Sequence, residues 1–291
     1  MALHLILGNS GAGKSHFLYE HILSEAAQHP ERTYYVLVPE QFTMATQREF
    51  VRRQENHAIL NVDVLSFKRL AYRVFEELGK DTLQVLEDTG KNLILQKLAG
   101  ELEPKLTVLQ GSLHRMGYID EIKSFLTELA QYRIEPQTLD EMAGQKDVSP
   151  LLAAKLSDIR LLYEAFLNEI DGDYLLAEEV VEYLARLVPD SELFADAVLV
   201  FDGFTGFTPV QQTFLQAVFP EVIDSYVALT IDAREDFYSA NHVEQLFFLS
   251  KKTIHMLLEL ARATGVQVAE PIVLKDGETR RFAKAPLLYH L

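Results

Sequence analysis

The chain has 291 residues, of which 48% are hydrophobic and 24% charged, so it can bury the core of one large domain or two modest ones. No apolar run approaches the length that spans a bilayer, and the first apolar residues lack the basic flank of a secretory signal, so we expect no membrane partner and a cytoplasmic location. The sequence contains no cysteine, which excludes disulfides, thiolate metal sites and iron–sulfur ligands from these residues.

The formal net charge of −16 argues against a nucleic-acid partner, because Lys and Arg supply most of the non-specific affinity for phosphate. The charge is unevenly spread, however. Residues 81–196 carry 23 acidic and 10 basic side chains, so most of the excess acid lies there. The near-neutral remainder contains a group of neighbouring basic residues, which permits a track for a DNA backbone without demonstrating one. These residues are Arg48, Arg52, Arg53, Lys68, Arg69 and Arg73.

The first predicted element is a buried strand over residues 3–7 that runs into a loop with the pattern G-x-x-x-x-G-K-S. The glycines of such a loop let backbone amides turn toward phosphate oxygens, and the following helix directs its positive N-terminal end at the same anion. In this pattern Lys14 reaches the β- and γ-phosphates of a nucleotide, and Ser15 holds a magnesium ion. The alternative is a glycine-rich turn followed by a surface lysine. The predicted nucleotide-binding residues are Gly8, Asn9, Ser10, Gly11, Ala12, Gly13, Lys14 and Ser15.

A helix over residues 16–28 and a second strand over residues 34–38 come next, because apolar residues first recur at helical spacing and then form a short β-rich run. Strand, helix and strand in this order predict a parallel, right-handed unit and an open α/β sheet, whose ligands bind beyond the carboxyl ends of the strands. Residues 39–43 leave the second strand at that edge, so Gln41 is a further candidate for the nucleotide site or the DNA side. The alternative is a turn that caps a helix. The apolar face of the first helix is predicted to contain Phe17, Leu18, Ile22 and Ala26.

A third strand is predicted over residues 59–65, with Ser66 as the N-cap of a following amphipathic helix. Lys68, Arg69 and Arg73 lie on this helix. They could contact phosphates, or they could simply form a solvated face.

Residues 86–187 show no strand pattern, and their apolar residues recur every three to four positions, which predicts helices that pack on one another. Residues 144–149 are typical of a loop between them. We interpret this acidic block as a helical insertion and its carboxylates as solvated surface rather than as a site. The predicted organisation is an α/β domain in two parts, residues 1–80 and 197–291, with a helical insertion at residues 81–196.

The sheet resumes with a strand over residues 197–201 that ends at Asp202. An aspartate at the end of a buried strand is where a P-loop protein places its second magnesium-directed carboxylate, although an aspartate can also cap a turn there. Hydrolytic P-loop motors commonly follow this aspartate with a glutamate that polarises the attacking water, whereas this chain has Gly203, which has no side chain to act as a base. The Asp-Glu pairs at residues 120–121 and 140–141 follow no apolar strand, so we reject them. Further predicted elements are a helix over residues 210–218, a strand over 226–231, a helix over 242–263 and a final strand over 266–274.

The order of these elements resembles the first motor domain of UvrD-type superfamily-one DNA helicases. The corresponding segments are residues 8–15 for motif I, 38–43 for motif Ia, 64–70 for motif Ib and 200–205 for motif II. The combination of an immediate P-loop with V-P-E-Q-F, L-S-F-x-R-L-A and F-D-G-F resembles more closely the B subunit of the AddAB ATP-dependent helicase-nuclease of Gram-positive bacteria. This likeness extends over essentially the whole chain.

The resemblance implies a P-loop NTPase (RecA-like) parallel sheet with an inserted all-helical subdomain, and ATP and magnesium as cofactors. It also implies a much longer polypeptide with a second helicase-like domain and a C-terminal nuclease that binds an iron–sulfur cluster, parts that 291 cysteine-free residues cannot contain. The parent protein would process double-strand DNA breaks for homologous recombination. Its partners would be DNA and an A subunit, with which it forms a heterodimer.

The sequence departs from the pattern of active motors of this family. Gly203 stands where they have the catalytic glutamate, residues 232–234 do not reproduce the Gly-Asp-x-x-Gln of motif III, and no adenine-reading glutamine segment precedes Leu3. We therefore predict an ATP-binding, DNA-contacting scaffold that does not hydrolyse ATP appreciably, with magnesium held by Ser15 and, through water, by Asp202. Two alternatives stay open: an active P-loop ATPase or kinase that uses another base, and a protein-interaction module whose loop is vestigial.

Overall fold

The computed structural model describes residues 1–54, 60–80, 84–113, 115–132, 134–170, 174–177, 179–240 and 243–275. Contacts between Cα atoms divide the chain into two units. The first comprises Met1–Leu78, Leu184–Phe207 and Gln211–Leu291, and the second comprises Gly79–Tyr183 and Thr208–Val210. The predicted division into three segments with boundaries at residues 80 and 196 stays a prediction.

Strands and helices alternate along the first unit, and helices dominate the second. The strands of the described residues are β1 (Ala2–Gly8), β2 (Thr33–Leu37), β3 (Val62–Leu65), β4 (Val85–Leu86), β5 (Leu175–Leu176), β6 (Ala197–Phe201), β7 (Asp224–Thr230), β8 (Gln267–Val268) and β9 (Ile272–Leu274). Their α-helices are α1 (Lys14–Gln28), α2 (Thr43–Arg53), α3 (Phe67–Glu77), α4 (Asp88–Leu102), α5 (Met116–Gln131), α6 (Pro136–Ala143), α7 (Pro150–Ile170), α8 (Val180–Leu187), α9 (Pro209–Val218) and α10 (Phe248–Thr264). Short 3-10 helices are η1 (Glu40–Phe42), η2 (Glu103–Lys105), η3 (Val188–Asp190) and η4 (Glu192–Phe194). None of the helices in this part of the chain is long and apolar enough to cross a membrane.

The first unit contains a central sheet in the order β3-β2-β6-β7-β1, with β8 and β9 both paired to β1. All of these pairs are parallel. Strands of such a sheet are buried on both faces and are therefore almost continuously apolar, as β6 shows with five buried residues in succession. The structure confirms the predicted open, parallel α/β sheet.

The strand register places several functional segments at one edge of this sheet. Gly8 is paired with Thr230, and Leu37 is paired with Phe201 on one side and with Leu65 on the other. Because the strands are parallel, their carboxyl ends meet at the same edge. The segments that follow β1, β2, β6 and β7 therefore all begin there.

Helix α1 packs on the sheet through a face that differs in part from the predicted one. Leu18, Ile22 and Ala26 are buried as expected, whereas Phe17 is only half-buried and Tyr19 is buried instead. Full burial of an aliphatic side chain such as Ile22 contributes about 1.5–3 kcal/mol. This face therefore fixes α1, and with it the loop that precedes it, against the sheet.

Several predicted boundaries differ from the observed ones. The predicted final strand over residues 266–274 is two short strands, β8 and β9, because Pro271 lies between them and has no amide hydrogen for a sheet hydrogen bond. Helix α10 begins at Phe248 rather than at His242, which lies outside the described residues. Strand β3 begins at Val62, and Ile59, where we predicted its start, also lies outside the described residues.

The second unit is built mainly from α4, α5, α6 and α7 around an apolar cluster. It also contains a two-stranded parallel sheet of β4 and β5, so the prediction of an all-helical subdomain was wrong in this detail. Two-residue strands carry no periodicity that a sequence pattern could detect. The most deeply buried residues of the cluster include Leu95, Leu109, Leu139, Leu162, Phe166 and Leu176.

Asp158 on α7 is an exception to the solvated carboxylates that we predicted for this block. It is 2% exposed, and its oxygens accept hydrogen bonds from the backbone amides of Thr107, Val108 and Leu109 at 2.7–3.1 Å. The Thr107 hydroxyl donates to it as well. The carboxylate thus holds the segment after η2 against α7 and has a structural role.

Candidate functional site

The loop between β1 and α1 depends on glycine at three positions. Gly11 and Gly13 have φ angles of +84° and +87°, in the left-handed region that glycine adopts without steric cost. A Cβ atom on Gly8 would lie 2.9 Å from the backbone oxygen of Leu274, so β9 leaves no room for a larger residue there. The amide of Ala12 donates to the carbonyl of Asn9 at 3.0 Å and closes the turn. Residues 8–13 therefore form a tight loop at the carboxyl edge of the sheet.

The lysine of the loop folds back onto it. Nζ of Lys14 donates to the carbonyl oxygens of Gly8 at 2.9 Å and Asn9 at 2.8 Å. Lys14 is also the first residue of α1, and the N-cap residue Gly13 has no side chain that could cap the helix. The first amides of a helix lack intrahelical partners, so this end of α1 presents amide hydrogens and a positive partial charge. Both features suit an anion.

A cleft of about 380 Å³ lies beside this helix end. It brings together Ser15 and Asp202, the two residues that we predicted to hold magnesium. Gln41 lies in η1 and is exposed, and it is not among the residues that line the cleft. The walls are formed by α1, by the segment between β2 and α2, by α2 itself and by the residues that follow β6. The lining residues are Ser15, Tyr19, Val38, Phe42, Ala45, Thr46, Glu49, Asp202 and Gly203.

Asp202 is bound by a residue that sequence patterns did not single out. The hydroxyl of Tyr19 donates a hydrogen bond of 2.7 Å to Oδ2 of Asp202, and both side chains are buried. Burial, followed by the negative charge of Asp202, raises the pKa of Tyr19 well above its usual value, and hydrogen bonding with Thr46 and Ser15 opposes this rise. Tyr19 therefore stays protonated as a donor. Its four-residue spacing from Ser15, which puts both on one face of a helix, is the signal that could have found it.

Arg53 of α2 lies over the Tyr19 ring. Its guanidinium lies 5.8 Å from the centre of that ring, within the range of a cation–π contact. The same group donates to Glu49 at 2.8 and 3.1 Å, and it also bonds to Glu20 and to Nδ1 of His16. The carboxylate of Glu49, which lines the cleft, is thus engaged by an arginine.

Gly203 follows Asp202 directly, at the position where the resemblance predicts the glutamate of a hydrolytic motor. Its φ angle is +80°, and a Cβ atom there would lie 3.4 Å from Cδ of Pro39 and 3.8 Å from Cδ2 of Phe42. The backbone conformation itself therefore favours glycine.

Asp232 connects the segment after β7 to the phosphate loop. Its Oδ2 accepts a hydrogen bond of 3.5 Å from Nδ2 of Asn9, and its two oxygens accept from the backbone amide and guanidinium of Arg234 at 2.6–3.2 Å. These bonds to Arg234 hold the pKa of Asp232 at about 2. This segment does not match motif III, yet it contacts the loop, a contact that sequence reasoning missed.

The basic residues proposed as a phosphate track are mostly engaged by this chain's own side chains. Arg53, Arg69 and Arg73 form ion pairs with Glu49, Glu40 and Asp63 respectively, and Nζ of Lys68 lies 5.9 Å from the ring centre of Tyr72. Among the described residues, no ion pair is found for Arg48 and Arg52 of α2, and both residues are exposed. Contact with DNA stays a prediction.

The residues at this edge of the sheet fit a nucleoside triphosphate with magnesium. Hydroxyl and carboxylate oxygens are the ligands that magnesium prefers, and Ser15 and Asp202 offer them in one cleft. The left-handed glycines and the N-terminus of α1 suit the phosphates. The predicted site residues of loop and cleft other than Gln41 thus lie at one edge of the sheet.

Comparison with known sequences gives a consistent picture. The family model described as ADDB, N-terminal, matches residues 5–291. The chain is similar to the B subunit of the ATP-dependent helicase/deoxyribonuclease of Lachnoclostridium phytofermentans, with 36% identity over 285 residues that cover 97% of this chain and 25% of the relative. Proteins of the same name from Alkaliphilus metalliredigens and Caldanaerobacter subterraneus are 33% and 32% identical over 97% of this chain and 24% of their own length. The chain therefore spans about a quarter of the length of the curated relatives it matches.

Proposed function

Because this chain belongs to the family of AddB N-terminal regions, we propose that it is an ATP-binding P-loop NTPase (RecA-like) domain that does not hydrolyse ATP appreciably. Its ligands are ATP and magnesium. We further propose that it contacts DNA as part of a longer helicase-nuclease polypeptide. The observation that carries this proposal is the cleft in which Ser15 and Asp202 lie together while Gly203 stands next to them.

The loop geometry supports nucleotide binding. Gly11 and Gly13 give the turn its left-handed residues, and α1 begins directly after it at Lys14. Lys14 already lies within the loop, bonded to two of its carbonyls, and would exchange those bonds for phosphate oxygens. When bound, magnesium would neutralise charge on the β- and γ-phosphates. Ser15 and Asp202 are the residues of this chain that would hold it.

The conformation of Gly203 supports the lack of hydrolysis. Removal of a well-placed general base or water-positioning group typically costs about two to four orders of magnitude in rate. Since a residue with a side chain at position 203 would be strained by the positive φ angle, the backbone there disfavours a glutamate. ATP would then act as a ligand that stabilises the domain, and its hydrolysis would not drive translocation.

The relatives named as B subunits of ATP-dependent helicase/deoxyribonucleases suggest the context of the domain. We propose that the longer protein processes double-strand DNA breaks for homologous recombination together with an A subunit, which drives translocation. An iron–sulfur cluster would belong to a part beyond this sequence, since these 291 residues contain no cysteine.

A second candidate function, an active ATPase, is favoured by one observation. Glu49 lines the same cleft as Asp202 and could serve as a base in place of the missing glutamate. Its bonds to Arg53 oppose this role, because a carboxylate paired with a guanidinium is a poor proton acceptor.

One experiment separates these functions. Binding of a fluorescent ATP analogue and release of phosphate from ATP are measured on the same preparations of wild type, Lys14→Ala, Glu49→Gln and the control Lys252→Ala, whose side chain is exposed on α10. We expect magnesium-dependent binding that Lys14→Ala removes and Lys252→Ala retains, with no steady phosphate release. Steady release that Lys14→Ala and Glu49→Gln both abolish would establish the ATPase instead. Absence of binding by the wild type would show that the loop is vestigial.

A further inference from the structure

We propose that Tyr19 weakens the hold of this site on magnesium, because its hydroxyl engages the carboxylate of Asp202 that the hydrated ion would also use. The inference rests on the proposed function, since it concerns the same cleft. It assigns a role to a residue that lies outside the phosphate loop and outside the segment at Asp202.

The contact itself is short and enclosed. The Tyr19 hydroxyl lies 2.7 Å from Oδ2 of Asp202, Tyr19 is 6% exposed and Asp202 is 7% exposed. A hydrogen bond to a carboxylate is among the stronger ones in proteins. Both residues line the cleft together with Ser15, the other predicted magnesium ligand, so the bond lies where the ion would be held.

The hydroxyl cannot easily turn away. The Tyr19 ring packs against Phe50, with the ring centres 4.5 Å apart, and Phe50 is fully buried. The guanidinium of Arg53 lies over the same ring and is itself held by Glu20 and Glu49. A rotation that freed Asp202 would break these contacts. Tyr19 is therefore a fixed donor.

A fixed donor on Asp202 has a definite consequence for magnesium. A water molecule bound to the ion would donate a hydrogen bond to this carboxylate. The Tyr19 hydroxyl already occupies one of its about four lone-pair sites and withdraws electron density from it, so the remaining sites are weaker acceptors. Removal of the Tyr19 hydroxyl should thus lower the magnesium concentration that nucleotide binding requires. If Tyr19 instead served to orient Asp202 for the ion, its removal would raise that concentration, so the two roles predict opposite signs.

The test is a magnesium titration of nucleotide binding by the full chain. Fluorescence of an ATP analogue is followed against magnesium chloride for wild type, Tyr19→Phe, Asp202→Asn and the double variant. The control is Tyr34→Phe, which removes another buried tyrosine hydroxyl from a residue of β2 that does not line the cleft. Thermal melting of each variant verifies that it is folded.

We expect the magnesium midpoint of Tyr19→Phe to fall by about threefold, which is part of the free energy of one hydrogen bond to a charged group, because the bond weakens Asp202 as an acceptor without excluding the ion. Binding measured with a chelator present should be unchanged, and Tyr34→Phe should behave as wild type. In the Asp202→Asn background, Tyr19→Phe should cause no shift. A midpoint of Tyr19→Phe that is equal to or above that of wild type would overturn the inference and leave the proposed function standing. If no variant binds nucleotide at any magnesium concentration, both fail.

A second substitution at position 19 keeps the test decisive when the first variant does not fold. If Tyr19→Phe does not melt cooperatively, Tyr19→Leu, which also lacks the hydroxyl, takes its place in the titration and should lower the midpoint in the same way. An unchanged midpoint in Asp202→Asn would overturn the inference, because magnesium would then not use that carboxylate.

Discussion

A Cβ atom on Gly203 would lie 3.4 Å from Cδ of Pro39, and the backbone of Gly203 has a φ angle of +80°. These two residues follow neighbouring strands, β6 and β2, at the edge of the sheet where the cleft opens. The backbone at position 203 therefore favours glycine over any residue with a side chain.

The first prediction concerns Gly203→Ala and Gly203→Glu. Left-handed conformation costs a residue with a side chain about 1–2 kcal/mol, so we expect each variant to lose at least that much free energy of unfolding, measured by urea denaturation. Gly206→Ala is the matched control, since Gly206 has no left-handed φ angle and its new methyl group would meet only an ordinary contact with Thr253, at 3.5 Å. We expect Gly203→Glu to release no phosphate from ATP. Rapid turnover by this variant would show that only the residue type, and not the backbone, prevents hydrolysis.

The second prediction concerns pH and Asp232. Its pKa is lowered in the folded chain to about 2 by Arg234, below the value of about 3.9 for an unfolded aspartate. The resulting stabilisation is therefore complete above pH of about 4 and is lost as the pH falls from about 4 to 2. Because the Arg234 side chain is 86% exposed, solvent screens the pair, and we expect no more than about 1 kcal/mol. Urea denaturation of wild type and Asp232→Asn across this range measures it, and a difference that grows toward low pH would contradict the assignment.

The third prediction concerns Asp158 in the second unit. Removal of its carboxylate leaves three buried or partly buried amides of residues 107–109 without their acceptor, so Asp158→Ala should lower the free energy of unfolding by on the order of 3 kcal/mol. Asp147→Ala, at an exposed position of the loop before α7, should change it by less than about 0.5 kcal/mol. Equal effects of the two variants in urea denaturation would show that the Asp158 bonds do not hold this unit together.

The fourth prediction concerns DNA. If α2 contacts the DNA backbone, the double variant Arg48→Ala/Arg52→Ala should bind single-stranded DNA more weakly. The slope of log affinity against log salt concentration should become shallower by about one to two. Arg73→Ala should have a smaller effect, because Asp63 already engages this arginine. Fluorescence anisotropy at several salt concentrations measures both. A larger effect of Arg73→Ala would place the DNA on α3 instead.

Local patterns were sufficient to predict the sheet and the loop. An apolar run before a glycine-rich segment predicts β1, the loop and α1, and the apolar run that ends at Asp202 predicts β6, because each depends on neighbours in sequence. These patterns could not predict contacts between residues that are distant in sequence. Tyr19 meets Asp202 across 183 positions, and Asp158 meets its amides across about 50. A tyrosine within an apolar helix face gives no sign of a polar partner as distant in sequence as Asp202, and only its four-residue spacing from Ser15 links Tyr19 to the loop.

The most direct test of the central claim is a crystal structure of this chain with ATP and magnesium. We predict an intact triphosphate on the amides of Gly11, Gly13 and Ser15, with magnesium near Ser15 and Asp202 and no carboxylate beside the γ-phosphate where water would attack. Density for ADP alone after incubation with ATP, or an empty loop at saturating nucleotide, would contradict a domain that binds ATP without hydrolysing it.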